Sequence, residues 1–230
     1  MDTMHLFRSC LIVLLGFSRY VLPARPATEQ HVISPPGPGY ILSIHDALKY
    51  SSIISDVLDD FQPTHSVSIA YPKAHESLQL GNDIPVESVS CRPVFEFHSM
   101  LAGSGTSGTS NKTLTLVLTD PDAKSRDNPK WSEMCHWILT NLTTTMTSDT
   151  TIAEKSELVE YLPPKPPPKT GKHRYVFVLL EGQQGQPLST PSDRKHWGFG
   201  KVRHGVRDWA KENELKVVGA NFFYAADQKQ

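Results

Sequence analysis

Asp120-Pro121-Asp122 follows an alternating run, Thr113–Thr119 (TLTLVLT), in which Leu114, Leu116 and Leu118 face one way. If the chain stays extended through Pro121, the two carboxylates lie on one side, two residues apart, and the proline limits how far they splay. Such a pair makes an acidic pocket wall at a strand exit; the same tripeptide also makes an ordinary Asx-Pro turn. His136 opens the apolar stretch His136–Leu142 (HWILTNL), and His173 stands just before Arg174–Leu180 (RYVFVLL). Alternation puts His173 and Tyr175 on one face and Arg174 on the other. A histidine at a strand end is often structural. Two of them with two aspartates, all at strand ends, suit a cleft for a small anion, with His173 and Tyr175 as donors and the carboxylates orienting or charging the imidazoles. Imidazoles near their ordinary value of about 6.5 make such binding weaken as pH rises.

Two His and two Asp also resemble a metal site or a hydrolase dyad, but a competent nucleophile with a base is missing. Cys135 adjoins His136, yet neighbours in a strand point to opposite faces. There is no G-x-S-x-G elbow and no H-E-x-x-H. Asn111-Lys112-Thr113 echoes the end of a phosphate loop without the glycine, and it precedes a strand instead of following one.

The elements that must position these residues are mostly strands. The chain has 230 residues, enough for one domain with a real core, with 38% hydrophobic and 20% charged residues. Its net charge of -1 supplies no general field for nucleic acid. Eighteen prolines imply many rigid loops and favour strands over long helices. Strands are expected at Val67–Tyr71, Val94–Phe97, Thr113–Thr119, His136–Leu142, Arg174–Leu180 and Val217–Tyr224. Arg174–Leu180 is nearly continuously apolar, as in a strand buried on both faces. A helix is expected over Ile44–Phe61, with Ser43 and Asp46 as a capping box and Pro63 ending it. A second covers Lys201–Leu215, with Val202, Val206, Trp209 and Ala210 inward. Pro163–Pro168 (PPKPPP) is polyproline II, either a stiff loop delivering the chain to Gly171 or a ligand for SH3 or WW domains.

Cys10–Phe17 (CLIVLLGF) is too short to span a bilayer but has the size of a signal-peptide core, with small-residue sites near Ser18, Ala24 and Ala27. A weak mitochondrial presequence and an unstructured extension are the alternatives. Residues 1–24 are therefore read as a signal or targeting segment, 25–42 as linker and 43–230 as one domain. Cleavage after Ala24 would leave Cys91 and Cys135, which need not pair. Two sequons, at Asn111 and Asn141, are acceptors if the chain enters the secretory pathway; cytoplasmic and mitochondrial locations are the alternatives.

Leu116–Asp122 (LVLTDPD), Cys135–Ile138 (CHWI) and Gly171–Val176 (GKHRYV) together resemble the phosphatidylethanolamine-binding protein family, with its D-P-D and G-x-H-R motifs in order. The similarity covers roughly Phe61–Ala225. Asp56–Phe61 (DVLDDF) and Trp197–Phe223 resemble fungal members related to the carboxypeptidase Y inhibitor. The resemblance implies a mostly β fold with peripheral helices, a β-sandwich around a central antiparallel sheet. It implies a non-catalytic pocket for phosphate-like anions and phospholipid headgroups such as phosphoethanolamine, formed by Asp120, Asp122, His136, His173 and Tyr175 and closed by Tyr224. It implies no metal or organic cofactor, and regulation of other proteins, including inhibition of a serine carboxypeptidase or modulation of a signalling protein. With no strong basic amphipathic patch, membrane contact is at most peripheral. The chain departs from the family pattern at Lys124, where proline is frequent, and at Met134, where tryptophan is common. Lys124 adds positive charge near the rim.

Overall fold

Two strands buried on both faces lie at the centre of the molecule in the computed structural model, which describes residues 38–74, 77–100, 111–143 and 156–229. They are β4 (Lys112–Asp120) and β7 (His173–Gln183), paired antiparallel. Around them run β5 (Met134–Leu142), β6 (Glu157–Val159), β8 (Lys216–Ala225) and the short β2 (Asn82–Asp83). The sheet order is β2-β8-β7-β4-β5-β6, antiparallel except for the β2–β8 pair. A second sheet pairs β1 (His65–Ala70) with β3 (Val94–Ser99). One layer on each face of the central sheet, the β1–β3 sheet on one side and helices on the other, buries its apolar residues.

Alternation sorts the central sheet into two faces. Leu116 and Leu118 of β4 and Tyr175, Phe177 and Leu179 of β7 pack towards Phe95 and Phe97 of the β1–β3 sheet. Val117 of β4 and Val176, Val178 and Leu180 of β7 pack towards the helices. Both strands are thus covered on both sides, which is why they read as nearly unbroken apolar runs. The two sheets approach closely at Gly219, where a Cβ would come within 2.6 Å of the His65 carbonyl oxygen.

The helical layer differs from the sequence expectation at both ends. α1 spans Pro38–Tyr50. It takes up Pro38–Leu42 from the expected linker and makes Ser43 an interior residue, not a cap. A proline fits the first turn, whose N–H groups have no helical acceptor. The helix stops at Ser51-Ser52, with Ser52 left-handed (φ 56°), and only a short irregular helical turn, α2 (Ile53–Asp56), follows. Ile44, Leu48, Ile53, Val57 and Leu58 are all buried, but in two differently aimed pieces. α3 is Val206–Glu212, shorter than expected, and Val202 is exposed. Gly205 precedes α3 because Glu133 sits against it: a Cβ there would lie 2.6 Å from the Glu133 carboxyl carbon. The signal or targeting expectation falls on residues 1–24, which lie outside the described residues. Both described cysteines, Cys91 and Cys135, are free.

One polar knot ties the layers together. Arg174, fully buried, makes a bidentate pair with Asp122 (2.9 and 2.7 Å). It also donates to Asp56 (2.9 Å) and to the Ser51 carbonyl (2.8 Å). The early stop of α1 supplies that carbonyl, since the last carbonyls of a helix lack internal partners. Arg203 holds the other Asp56 oxygen at 2.7 Å. A second buried carboxyl, Glu133, has Thr119 Oγ1 at 3.2 Å and the Val206 N–H at 3.4 Å on Oε2, while Oε1 has no hydrogen-bond partner. Burial pushes it up to about 8.

Two stability outcomes follow from these groups. Arg174→Met leaves the buried Asp122 carboxylate without its cation and Asp56 with Arg203 alone, and should cost about 3–5 kcal/mol in urea unfolding, as for other broken buried ion pairs; an unchanged midpoint would refute the knot's role. For Glu133, the unfolded chain gives up its proton near 4.5 and the folded chain near 8. Stability should therefore fall as pH rises between those values, by on the order of a few kcal/mol. Glu133→Gln should flatten that slope in urea midpoints compared at pH 5 and 8.5.

Candidate functional site: a buried histidine pocket at one sheet edge

The strand order brings the candidate residues together. β4 runs antiparallel to both β5 and β7, so the end of β4 lies beside the starts of its two neighbours. Asp120, His136 and His173 occupy those three ends and, with Tyr175, line one pocket of about 480 Å3. All four are at most 5% exposed.

Asp120 is the pivot. Its Oδ2 lies 2.9 Å from His173 Nδ1, and its Oδ1 accepts the Asp122 N–H at 2.7 Å. That second bond folds the chain back in a turn after β4, so strict alternation ends at Asp120. The two carboxylates consequently diverge: Asp120 serves the pocket, and Asp122 serves Arg174. The expected shared acidic wall does not form, and Asp122 is not a lining residue.

His173 reaches Thr170 Oγ1 through Nε2 at 3.0 Å, and the Thr170 hydroxyl donates to the Pro167 carbonyl at 2.6 Å. His173 stacks on Tyr175 (ring centroids 6.3 Å apart), and Tyr175 stacks on Phe223 (5.2 Å). This aromatic row places Phe223, not Tyr224, on the pocket side of β8. Tyr224 packs on the helix side with Phe222 and does not line the pocket, because adjacent strand residues take opposite faces.

His136 enters by a different device. Leu118 pairs with Trp137 and Thr119 with Cys135, so His136 has no partner on β4 and the register shifts there. Simple alternation would put His136 with Ile138 on the helix face. The bulge turns it to the pocket, with Trp137 on the same side of the sheet and Cys135 on the other. Its Nδ1 donates to the Leu162 carbonyl at 2.7 Å, and the Leu162 N–H returns a bond to the His136 carbonyl at 2.7 Å. Nε2 is then the ring nitrogen left for a ligand. Burial lowers the His136 pKa below its ordinary 6.5, opposed by the Asp120 charge. Burial also raises the Tyr175 hydroxyl well above 10. Cys135, at 0% exposed, is pushed up to about 12 by burial and faces away, so no thiolate serves this pocket.

Sequence reasoning missed most of the remaining wall. Leu162–Pro167, the start of the polyproline stretch, forms one side, which gives that segment a place beyond a connecting loop. Val86, Glu87 and Ser90 add another part, and Lys124, Trp131 and Met134 a third. The two family departures, Lys124 and Met134, thus both lie on the pocket. The sequons stand elsewhere, with Asn111 and Asn141 both exposed and Asn141 in a left-handed conformation (φ 59°). Among the described residues, no group of three or more His, Cys, Asp or Glu is arranged to hold a metal ion, and no helix is long and apolar enough to cross a membrane.

Comparison with known proteins agrees with this arrangement. Residues 74–223 match the phosphatidylethanolamine-binding protein family. The carboxypeptidase Y inhibitor of Saccharomyces cerevisiae is 37% identical over 205 residues, covering 78% of this chain and 93% of that protein. The protein TERMINAL FLOWER 1 of Arabidopsis thaliana is 32% identical, covering 77% and 88%. The solved structure of carboxypeptidase Y inhibitor complexed with the cognate proteinase superposes with a TM-score of 0.71 at 33% identity, over 82% of this chain and 97% of that one. By fold, motif and extent of similarity, the chain belongs to the phosphatidylethanolamine-binding protein family.

Proposed function

We propose that the protein is a non-catalytic binder of small phosphate-like anions, including phospholipid headgroups, and acts as a regulator of other proteins. The observation that carries this reading is the convergence of the buried His136, His173, Tyr175 and Asp120 in one pocket. An anion entering it meets His136 Nε2, and it adds a counter-charge that favours the protonated ring. Asp120, already engaged by His173 and the Asp122 N–H, orients the second imidazole instead of confronting the ligand as a free carboxylate. The lysines at the mouth, Lys124 and Lys165, supply positive charge. A hydrolytic role using His136 and the aspartates would need an activated nucleophile, and Cys135 on the opposite face does not provide one. The exposed sequons fit passage through the secretory or vacuolar pathway.

Sulfate keeps a constant charge across the relevant range and so isolates the protein's titration. Without ligand, His136 protonates in the unfolded chain near 6.5 and in the folded chain only lower, so its own contribution to stability falls as pH drops below 6.5, opposite in sign to that of Glu133 and read as the difference from His136→Ala. Sulfate should reverse that loss and bind more tightly as pH falls, read from thermal shifts between pH 7.5 and 5.5. His136→Ala should weaken sulfate and phosphate about tenfold or more, the scale of one lost hydrogen bond to a charged group. Unaltered affinity in both His136→Ala and Asp120→Ala would refute the pocket reading.

A second reading, inhibition of a serine carboxypeptidase through a protein–protein interface, is favoured by the 37% identity to the carboxypeptidase Y inhibitor. The two functions can coexist. Titration of carboxypeptidase Y with the full chain should give inhibition at micromolar protein that survives His136→Ala and fails on removal of residues 1–33. The truncation stops there because Ile44, Leu48, Ile53 and Asp56 belong to the core and the Arg174 knot. No inhibition at that concentration would remove this reading.

A further inference from the structure

Three ammonium groups crowd one ring at the pocket mouth. Lys124, Lys130 and Lys195 place Nζ at 5.4, 5.5 and 5.1 Å from the centroid of Trp131. They come from two separate segments, the β4–β5 loop and the stretch whose Lys195 bridges to Met134. Trp131 and Lys124 line the pocket directly, and all three lysines are exposed. Attraction to the ring face offsets part of their mutual repulsion, but a single indole cannot neutralise three charges. None of the three ammoniums has a carboxylate partner among the described residues; Asp193, close in sequence, accepts the Lys195 backbone N–H. On the pocket wall the acidic groups are Asp120, committed to His173, and Glu87. Lys165 on the polyproline side adds a fourth positive charge.

This excess charge lies outside the histidine floor, where the non-phosphate end of a bound phosphoester would project. A terminal ammonium there, as in phosphoethanolamine, meets charges of its own sign. We propose that the Lys124–Lys130–Lys195 cluster on Trp131 is a second anion subsite, so that the pocket prefers organic phosphates bearing a further negative charge over phosphoethanolamine. The proposal rests on the pocket reading above and adds the ligand class. The same chemistry is offered by a soluble phosphoester and by an anionic lipid headgroup.

Three probes of similar size differ only in the end group: phosphoglycolate (negative), ethyl phosphate (neutral) and phosphoethanolamine (positive). Calorimetric titration of the full chain should rank them in that order, with about tenfold between the first and last, the scale of a few exposed ion pairs. Raising the salt concentration should shrink the spread. Replacing the two exposed lysines that do not line the pocket (K130Q and K195Q) should compress the ranking while leaving inorganic phosphate within about threefold. A second arm compares phosphatidylcholine vesicles carrying phosphatidylethanolamine with vesicles carrying a phosphatidylinositol phosphate. Preference for the latter alone, without soluble-ligand ranking, would assign the subsite to a lipid headgroup; soluble ranking alone would assign it to a free phosphoester. Equal affinity for all three probes together with no preference between the vesicles, inorganic phosphate still being bound, or preference for phosphoethanolamine, would overturn the subsite and leave the pocket reading standing. No binding of any phosphate would overturn both.

Discussion

Arg174 is fully buried and finds four acceptors: both oxygens of Asp122, one of Asp56 and the Ser51 carbonyl. A guanidinium is always charged, so it must be matched on every side or the layers around it do not close. Its partners come from three parts of the chain: the end of α1 (Ser51), the short turn α2 (Asp56) and the turn after β4 (Asp122). Because Asp122 is held on the helix side, Asp120 two residues earlier is free to face the other way. The division of labour between the two aspartates therefore originates in the demands of one arginine.

The pocket is built against this anchored turn. His173 and Tyr175 reach it by plain alternation along β7, while His136 reaches it only because β5 bulges opposite Leu118 and Thr119. Without the bulge the imidazole would lie among the helix-side apolar residues with no carbonyl to receive its Nδ1 proton. The polyproline wall supplies that carbonyl at Leu162. Each imidazole thus has one nitrogen fixed by a strong acceptor, Asp120 for His173 and Leu162 for His136. Fixing one nitrogen sets the orientation of the ring and determines what the other presents.

Electrostatically the site is graded. Its floor holds a neutralised carboxylate and histidines, with burial disfavouring extra charge on His136. Its rim is rich in lysine and contains one indole around which three ammoniums gather. Such a gradient draws an anion inward and lets the floor discriminate by hydrogen bonding. Cys135 and Glu133, close in sequence to His136, take no part: both lie beneath the sheet on the helix side, where burial pushes the thiol up to about 12 and the carboxyl up to about 8.

Local pattern was enough for the strands. Two-residue alternation and apolar runs placed β1, β3, β4, β5, β7 and β8 to within three residues at each end, because strand burial follows side-chain periodicity directly. The D-P-D and G-x-H-R motifs also marked Asp120, His136, His173 and Tyr175 as a set. Periodicity misled where long-range contacts redirected the chain. Ile44–Phe61 carries a helical spacing, yet the chain breaks at Ser51-Ser52 to meet Arg174, and Lys201–Leu215 is shortened by the fit of Gly205 against Glu133. Short edge strands β2 and β6 have too few residues to show a period. The sequence by itself determined which side chains are available for an anion site and which strands carry them. Only the tertiary structure decided that Asp122 and Tyr224 turn away, that a bulge delivers His136, and that Lys124, Lys130 and Lys195 share one tryptophan. Those outcomes depend on pairing register and on contacts between residues far apart in the chain, which one-dimensional spacing does not encode.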